Sequence, residues 1–235
     1  MRGKLALVTG ASQGIGLAIV QALAAEGCDL VISGRNQSAL NQAAKRLAKR
    51  EVSVTPMVCD VRDADAVEAL LAAAKAQHHR LDILINNAGI AHSNLPVAKL
   101  PLEEWKAVIE TNLTGMFLVT RAALPLMKPG STIVNNLSIS AKRSFPGMSA
   151  YDASKHGALG FTNTLREEVR EKGIRVIALL PGATDTAIWN AFWPQAPRMK
   201  MMSPGTVARA VVNALTLPQE ATLEELTILP RAGTL

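Results

Sequence analysis

Lys4-Leu5-Ala6-Leu7-Val8-Thr9-Gly10-Ala11-Ser12-Gln13-Gly14-Ile15-Gly16 is the stretch whose reading decides the fold. Residues 4–9 form a short apolar run of the kind that makes a buried strand. Over residues 14–27 apolar side chains recur at helical spacing, at Ile15, Ile19, Ala22 and Leu23. The glycines between them let the backbone turn tightly and approach a pyrophosphate. The free N–H groups and dipole of the helix start favour its negative charge. The spacing Gly-x-x-x-Gly-x-Gly differs from the more familiar Gly-x-Gly-x-x-Gly, and a glycine-rich turn without a ligand is the competing reading. Strand, glycines and helix in that order are the context such a motif requires.

Outward from this turn, apolar runs and helical stretches alternate. Further strands are expected over residues 29–33, 52–58, 81–85, 132–137, 174–180 and 223–229, and helices over 36–50, 65–77, 101–127, 150–171 and 206–215. Strands apolar on both faces imply a parallel sheet covered by helices on both sides. The expected fold is therefore α/β: one doubly wound, Rossmann-type domain over residues 1–235, with about seven parallel strands. The irregular stretch 183–204, with prolines at 194, 197 and 204, has the length of a lid or binding loop.

Composition narrows the function classes. In 235 residues, 49% are hydrophobic and 19% charged, enough for a sizeable core and incompatible with global disorder. No apolar run approaches the ~18 residues of a membrane span, and the N-terminus lacks a signal-peptide pattern. Two cysteines, Cys28 and Cys59, fit neither a disulfide framework nor a metal site. A cytoplasmic protein without a membrane partner is expected. The net charge of +6 raises nucleic acid as a partner. The basic residues, however, are interleaved with acids and lack an aromatic platform, which argues against it. The histidines at 78, 79, 92 and 156 have no metal-ligand spacing, so no metal is expected. His92 alone lies where it could face a substrate.

The second expected strand ends at Ser33-Gly34-Arg35-Asn36, where an acid would receive a ribose 2′-hydroxyl. Arg35 instead offers a fork of donors suited to a 2′-phosphate, so NADP is preferred over NAD. Lys45, Arg46, Lys49 and Arg50 read as the solvated face of the next helix. Tyr151 and Lys155 are four apart and stack on one helix face.

The glycine turn, Asn86-Asn87-Ala88-Gly89, Ser138, Tyr151-x-x-x-Lys155 and Pro181-Gly182 together resemble the short-chain dehydrogenase/reductase family, from residue 4 to about 186. Within it the chain looks most like the 3-oxoacyl-acyl-carrier-protein reductases and related carbonyl reductases. The C-terminus, Ile228-Leu229-Pro230-Arg231-Ala232-Gly233-Thr234-Leu235, lacks the Gly-Gly-rich ending common in the former group. The resemblance implies an NADPH-dependent enzyme interconverting a ketone or aldehyde and an alcohol. By it, Gly10, Ser12, Gln13, Gly14, Ile15 and Gly16 line the pyrophosphate and adenosine ribose, and Asp60 and Val61 hold the adenine. Asn87, Ala88 and Gly89 pass beside the cofactor, and Pro181, Gly182, Thr184 and Thr186 meet the nicotinamide. Ser138, Tyr151 and Lys155 carry catalysis, and Asn112 completes a proton relay. Family members are commonly homotetramers or homodimers.

The chemistry needs these residue types. Reduction of a carbonyl takes a hydride, which the cofactor supplies, and a proton, for which Tyr151 is the candidate donor. A tyrosine pKa near ~10 would have to fall by ~2–3 units, or ~3–4 kcal/mol. One ammonium ~4 Å away at an effective dielectric of ~20 is worth ~4 kcal/mol, so Lys155 is expected to supply the shift, and it could also hold the nicotinamide ribose. Ser138 would stabilise the substrate oxygen, with Ser140 as its rival. Trp189, Phe192 and Trp193 in the irregular stretch are candidates for a lid over the substrate, or for packing against the body or another subunit. A 3-oxoacyl-thioester reductase and a non-catalytic NADP-binding regulator on the same fold are the alternatives.

Overall fold

The computed structural model describes residues 1–47 and 51–234. Seven strands form one all-parallel sheet in the order β3-β2-β1-β4-β5-β6-β7. They are β1 (Leu5–Thr9), β2 (Asp29–Gly34), β3 (Val54–Val58), β4 (Leu81–Asn86), β5 (Met127–Asn136), β6 (Arg175–Pro181) and β7 (Glu225–Ile228). Helices α1 (Gly14–Ala25), α2 (Gln37–Leu47), α3 (Ala64–His78), α4 (Leu102–Ile109), α5 (Gly115–Ala123), α6 (Ser149–Arg170), α7 (Trp189–Phe192) and α8 (Pro204–Leu215) complete the fold.

Alternation along β1 explains the two layers. Ala6 and Val8 point to the core shared with Ile19 and Leu23 of α1, Leu40 of α2 and Val207 of α8. Leu5 and Leu7 point to the opposite core, among Leu70 of α3, Val119 of α5 and Leu165 of α6. Because both faces are covered, every residue of β1 is buried. Each fully buried leucine removes enough apolar surface to contribute roughly 1.5–3 kcal/mol. Parallel order reverses between β1 and β4, and in such sheets the crevice outside the carboxyl ends of these two strands is the ligand site.

Most expected elements are found, with end shifts of a few residues. The exception is the single helix expected over 101–127. The structure has α4, a π-helical turn over Glu110–Thr114, α5 and a 3-10 turn over Leu124–Leu126, and Met127 already belongs to β5. Pro125, which lacks an N–H and clashes with the preceding turn, ends the helix there. The end of the helix expected over 36–50, with Lys49 and Arg50, lies outside the described residues. Lys45 and Arg46 are exposed on the last turn of α2, as expected of a solvated face. No helix among the described residues is long and apolar enough to cross a membrane.

Residues 183–204 are pinned at their base by a parallel bridge between Thr184 and Met202. Between these lie α7 and a 3-10 turn over Arg198–Lys200.

Candidate active site

The carboxyl ends of β1, β4, β5 and β6 open onto a cavity of about 480 Å³. The glycine turn forms its floor. Gly10 has φ +62°, and a Cβ there would meet the Ala88 backbone at 2.9 Å, so only glycine fits. Gly16 lies beneath the turn rather than in the cavity wall. A Cβ on it would fall 2.4 Å from both Asn87 Nδ2 and the Gly10 carbonyl. Gln13, at the N-cap of α1, makes no side-chain cap bond, which leaves the first amides of that helix free to meet an anion.

Asn87 holds this turn in place. Its Nδ2 donates to the carbonyls of Thr9 at 2.9 Å and Gly10 at 3.1 Å. Its Oδ1 accepts from Asn136 Nδ2 at 2.8 Å. Thr9 Oγ1 accepts from the N–H groups of Asn87 and Ala88, at 3.0 Å each. The ends of β1, β4 and β5 are thus tied by side chains as well as by the sheet ladder.

At the far edge, Arg35 and Asp60 line the cavity with Ser12, Ile15 and Val61. Asp60 is paired with Arg62 at 2.6 Å, and this partner holds its carboxyl below the usual range. Arg35 is exposed and makes no ion pair among the described residues.

Tyr151 and Lys155 enter from the first turns of α6, and Ser138 from the end of β5. Lys155 Nζ lies 5.5 Å from the Tyr151 ring centroid and donates to the Asn136 carbonyl at 3.1 Å. Burial pushes the Tyr151 phenol up to about 12, opposed by the facing Ser138 hydroxyl and aided by Asp152. Burial also pulls Lys155 down to about 8. Lys155 is not among the groups that shift the phenol in the chain alone, which differs from the expected depression. In the chain alone desolvation dominates both groups, because each leaves water for the same apolar pocket.

Gly14, Gly89, Ala88, Pro181, Gly182, Thr184 and Thr186 also line the cavity, as do Trp189, Phe192 and Trp193. Asn112 does not. It is fully buried in the π turn, where its Nδ2 donates to the Ile90 carbonyl at 2.9 Å and to Ser154 Oγ at 3.0 Å. Its Oδ1 accepts from the Ile90 N–H at 2.8 Å. His92 is likewise turned inward, with Nδ1 2.7 Å from the Ser93 carbonyl, and lies outside the lining. Ser140 lines the cavity as its rival Ser138 does, but Ser138 is the one that faces Tyr151. Ile90, Asn94, Ile139, Phe145 and Met148 are wall residues that sequence reasoning missed. For Ile139, Phe145 and Met148 the short connection from Ser138 to Tyr151 is the available signal; Ile90 and Asn94 follow β4 and carry none.

A family model for short chain dehydrogenases matches residues 4–197. The chain belongs to the short-chain dehydrogenase family. An uncharacterised oxidoreductase of Staphylococcus aureus strain N315 is 35% identical over 229 residues, covering 97% of each chain. Among solved structures, an alcohol dehydrogenase from Thermococcus sibiricus complexed with 5-hydroxy-NADP superposes with a TM-score of 0.90. It shares 31% identity and covers 96% of this chain and 95% of its own. A variant of actinorhodin polyketide ketoreductase with NADPH gives 0.86 at 32% identity, covering 98% of both. A 3-ketoacyl-acyl-carrier-protein reductase from Brucella melitensis complexed with NADH gives 0.88 at 27% identity, covering 98% of both. This short-chain dehydrogenase is thus an oxidoreductase. Its glycine cradle, which a Cβ would fill, and its uncapped helix start fit a nicotinamide dinucleotide.

Proposed function

We propose that the protein is an NADP(H)-dependent oxidoreductase that interconverts a ketone or aldehyde and an alcohol, with Tyr151 as proton donor. One observation carries this reading: Ser138, Tyr151 and Lys155 share a single cavity with the glycine turn and Arg35. When bound, the nicotinamide supplies the hydride.

The chain's own residues do the rest. A phenol pushed up to about 12 keeps its proton through neutral pH, as a donor to a carbonyl oxygen must. Ser138, facing that phenol, is placed to donate to the same oxygen and to stabilise charge developing on it. Lys155, with a pKa of about 8, is mostly an ammonium at neutral pH and supports the phenolate left after proton transfer. Asn112 acts as a positioning residue, because its side-chain bonds tie Ile90, in the connection after β4, to Ser154, the residue before Lys155.

Preference for NADP rests on Arg35. It lines the cavity at the end of β2, lacks an ion-pair partner among the described residues, and has a guanidinium suited to a 2′-phosphate. No acidic side chain stands at that strand end to receive a free ribose hydroxyl. The reading extends to one cytoplasmic domain that works as a homodimer or homotetramer on a small-molecule carbonyl or alcohol, with no nucleic-acid partner. Exposed Leu102, Trp105 and Phe117 on α4 and α5 support self-association.

The test is oxidation of NADPH and of NADH with a panel of ketones, aldehydes, diketones, quinones and acetoacetyl thioesters. NADPH-dependent turnover of at least one carbonyl is expected. Absence of turnover across the panel overturns the reading, and a preference for NADH overturns the role of Arg35. Light scattering on eluted protein checks the assembly.

A further inference from the structure

The two ends of the cavity differ in chemistry. Charged side chains in its lining are Arg35, Asp60 and Lys155. The first two stand at the outer end of the glycine turn, and the third is engaged by the Asn136 carbonyl. The rest of the lining is uncharged and includes Phe145, Met148, Trp189, Phe192 and Trp193 beside the polar Asn94 and Ser140. A carboxylate or phosphate brought to this end would lose hydration without gaining a counter-charge.

The aromatic side chains there form a preset surface. Trp189 stands 4.9 Å from Phe192 and 6.1 Å from Trp193, centroid to centroid, with planes tilted by 36° and 57°. Trp189 Nε1 donates to the Thr184 carbonyl at 2.9 Å. Arg198 clamps the approach to α7. Its Nη1 donates to Asp185 Oδ1 at 3.0 Å and to the Thr186 carbonyl at 2.6 Å, and its Nη2 to Asn190 Oδ1 at 2.8 Å. Rings already held in place lose little freedom when a ligand covers them. Trp193 is 40% exposed, a large apolar ring at the mouth of a cavity.

We propose that the substrate is a neutral fused-ring aryl ketone whose ring system lies against Trp189 and Phe192 while its carbonyl oxygen meets Tyr151 and Ser138. The proposal rests on the carbonyl reduction proposed above and adds the class of carbonyl. Offset or tilted aromatic contacts supply a preference that a saturated ring of the same size cannot gain. The lack of a counter-charge at the aromatic wall disfavours a carboxylate carried on the ring system.

Three probes separate these terms: tetralone, its saturated counterpart decalone, and 6-carboxy-1-tetralone, which keeps the fused aryl ring but carries a carboxylate on it, away from the carbonyl. Calorimetric titration into protein loaded with NADP reads binding without turnover. Tetralone is expected to bind about tenfold more tightly than either of the others. Trp189→Leu should remove about that factor for tetralone and leave decalone unchanged. Trp193→Ala, at an exposed position, gives a smaller loss in the same direction and serves if the first variant folds poorly. Equal binding of decalone, or tighter binding of 6-carboxy-1-tetralone, overturns the proposal. NADPH oxidation with the same probes separates the two readings. Tight tetralone binding without turnover of any carbonyl contradicts the reaction and supports the site. Turnover that favours 6-carboxy-1-tetralone or decalone supports the reaction and overturns the site.

Discussion

Lys155 and Asn136 are joined by a hydrogen bond of 3.1 Å from the ammonium to the main-chain carbonyl. The Asn136 side chain continues the connection to Asn87, and Asn87 to the carbonyls of Thr9 and Gly10. An unbroken path of polar contacts therefore runs from the buried lysine to the turn that cradles a pyrophosphate.

The buried ammonium has a measurable cost. A pKa lowered from 10.5 to about 8 corresponds to ~3 kcal/mol of unfavourable burial of the charged form. Between these values the unfolded chain binds the proton and the folded chain does not, so this group makes stability rise with pH across that interval. Below pH 8 the folded protein bears the full cost. Lys155→Met removes the charge and forfeits one hydrogen bond of ~1 kcal/mol. The variant should be inactive and roughly 2 kcal/mol more stable at pH 7, with that advantage gone near pH 10. Urea unfolding at the two pH values measures this.

Tyr151→Phe should lower kcat for carbonyl reduction by roughly 10²–10⁴ while leaving NADPH affinity unchanged. In the native protein kcat/KM for reduction should stay level through neutral pH, since the phenol keeps its proton. It should fall first as Lys155 loses its proton around pH 8, and further as the phenol ionises toward 12. Steady-state rates and NADPH fluorescence titration report the two quantities, and full activity in the variant would exclude the phenol as donor.

Arg35→Ala removes the free guanidinium at the end of β2. A charge-assisted hydrogen bond is worth ~1.5–3 kcal/mol, so KM for NADPH should rise by about 10–100-fold and KM for NADH should hold. An equal effect on both cofactors would place Arg35 outside the 2′-phosphate site.

Gly16→Ala puts a methyl 2.4 Å from Asn87 Nδ2 and from the Gly10 carbonyl, neither of which can yield without opening the turn. Overpacking of this kind costs roughly 1–3 kcal/mol. Thermal unfolding should show that loss together with weakened dinucleotide binding. Gly160→Ala, on α6 with open space at its Cβ position, is the matched control.

Residues close in sequence were the legible ones. The alternation of Leu5, Ala6, Leu7 and Val8 sends side chains to two faces, and a strand buried on both sides needs nothing further to be recognised. Tyr151 and Lys155 were placed together because four residues span one helical turn. Asn112 illustrates the opposite case. Its partners Ile90 and Ser154 lie 22 and 42 residues away, and they turn its amide away from the cavity. His92, after the fourth strand, was open to a role at the substrate, and packing buried it. The π turn over Glu110–Thr114 interrupts what periodicity reads as one helix, because a single inserted residue barely disturbs an apolar stripe.

By itself, the sequence determined the strand and helix order, the glycine turn and the pairing of tyrosine with lysine. Each of these depends on local geometry: backbone freedom at glycine, period two in strands and 3.6 in helices. Only the tertiary structure decided the direction of the pKa shifts and the make-up of the substrate wall. Desolvation depends on everything that packs around a group, and here it is the largest influence on both Tyr151 and Lys155. Ile139, Met148 and Trp189 reach one cavity from three separate connections, a meeting that only the closed fold brings about.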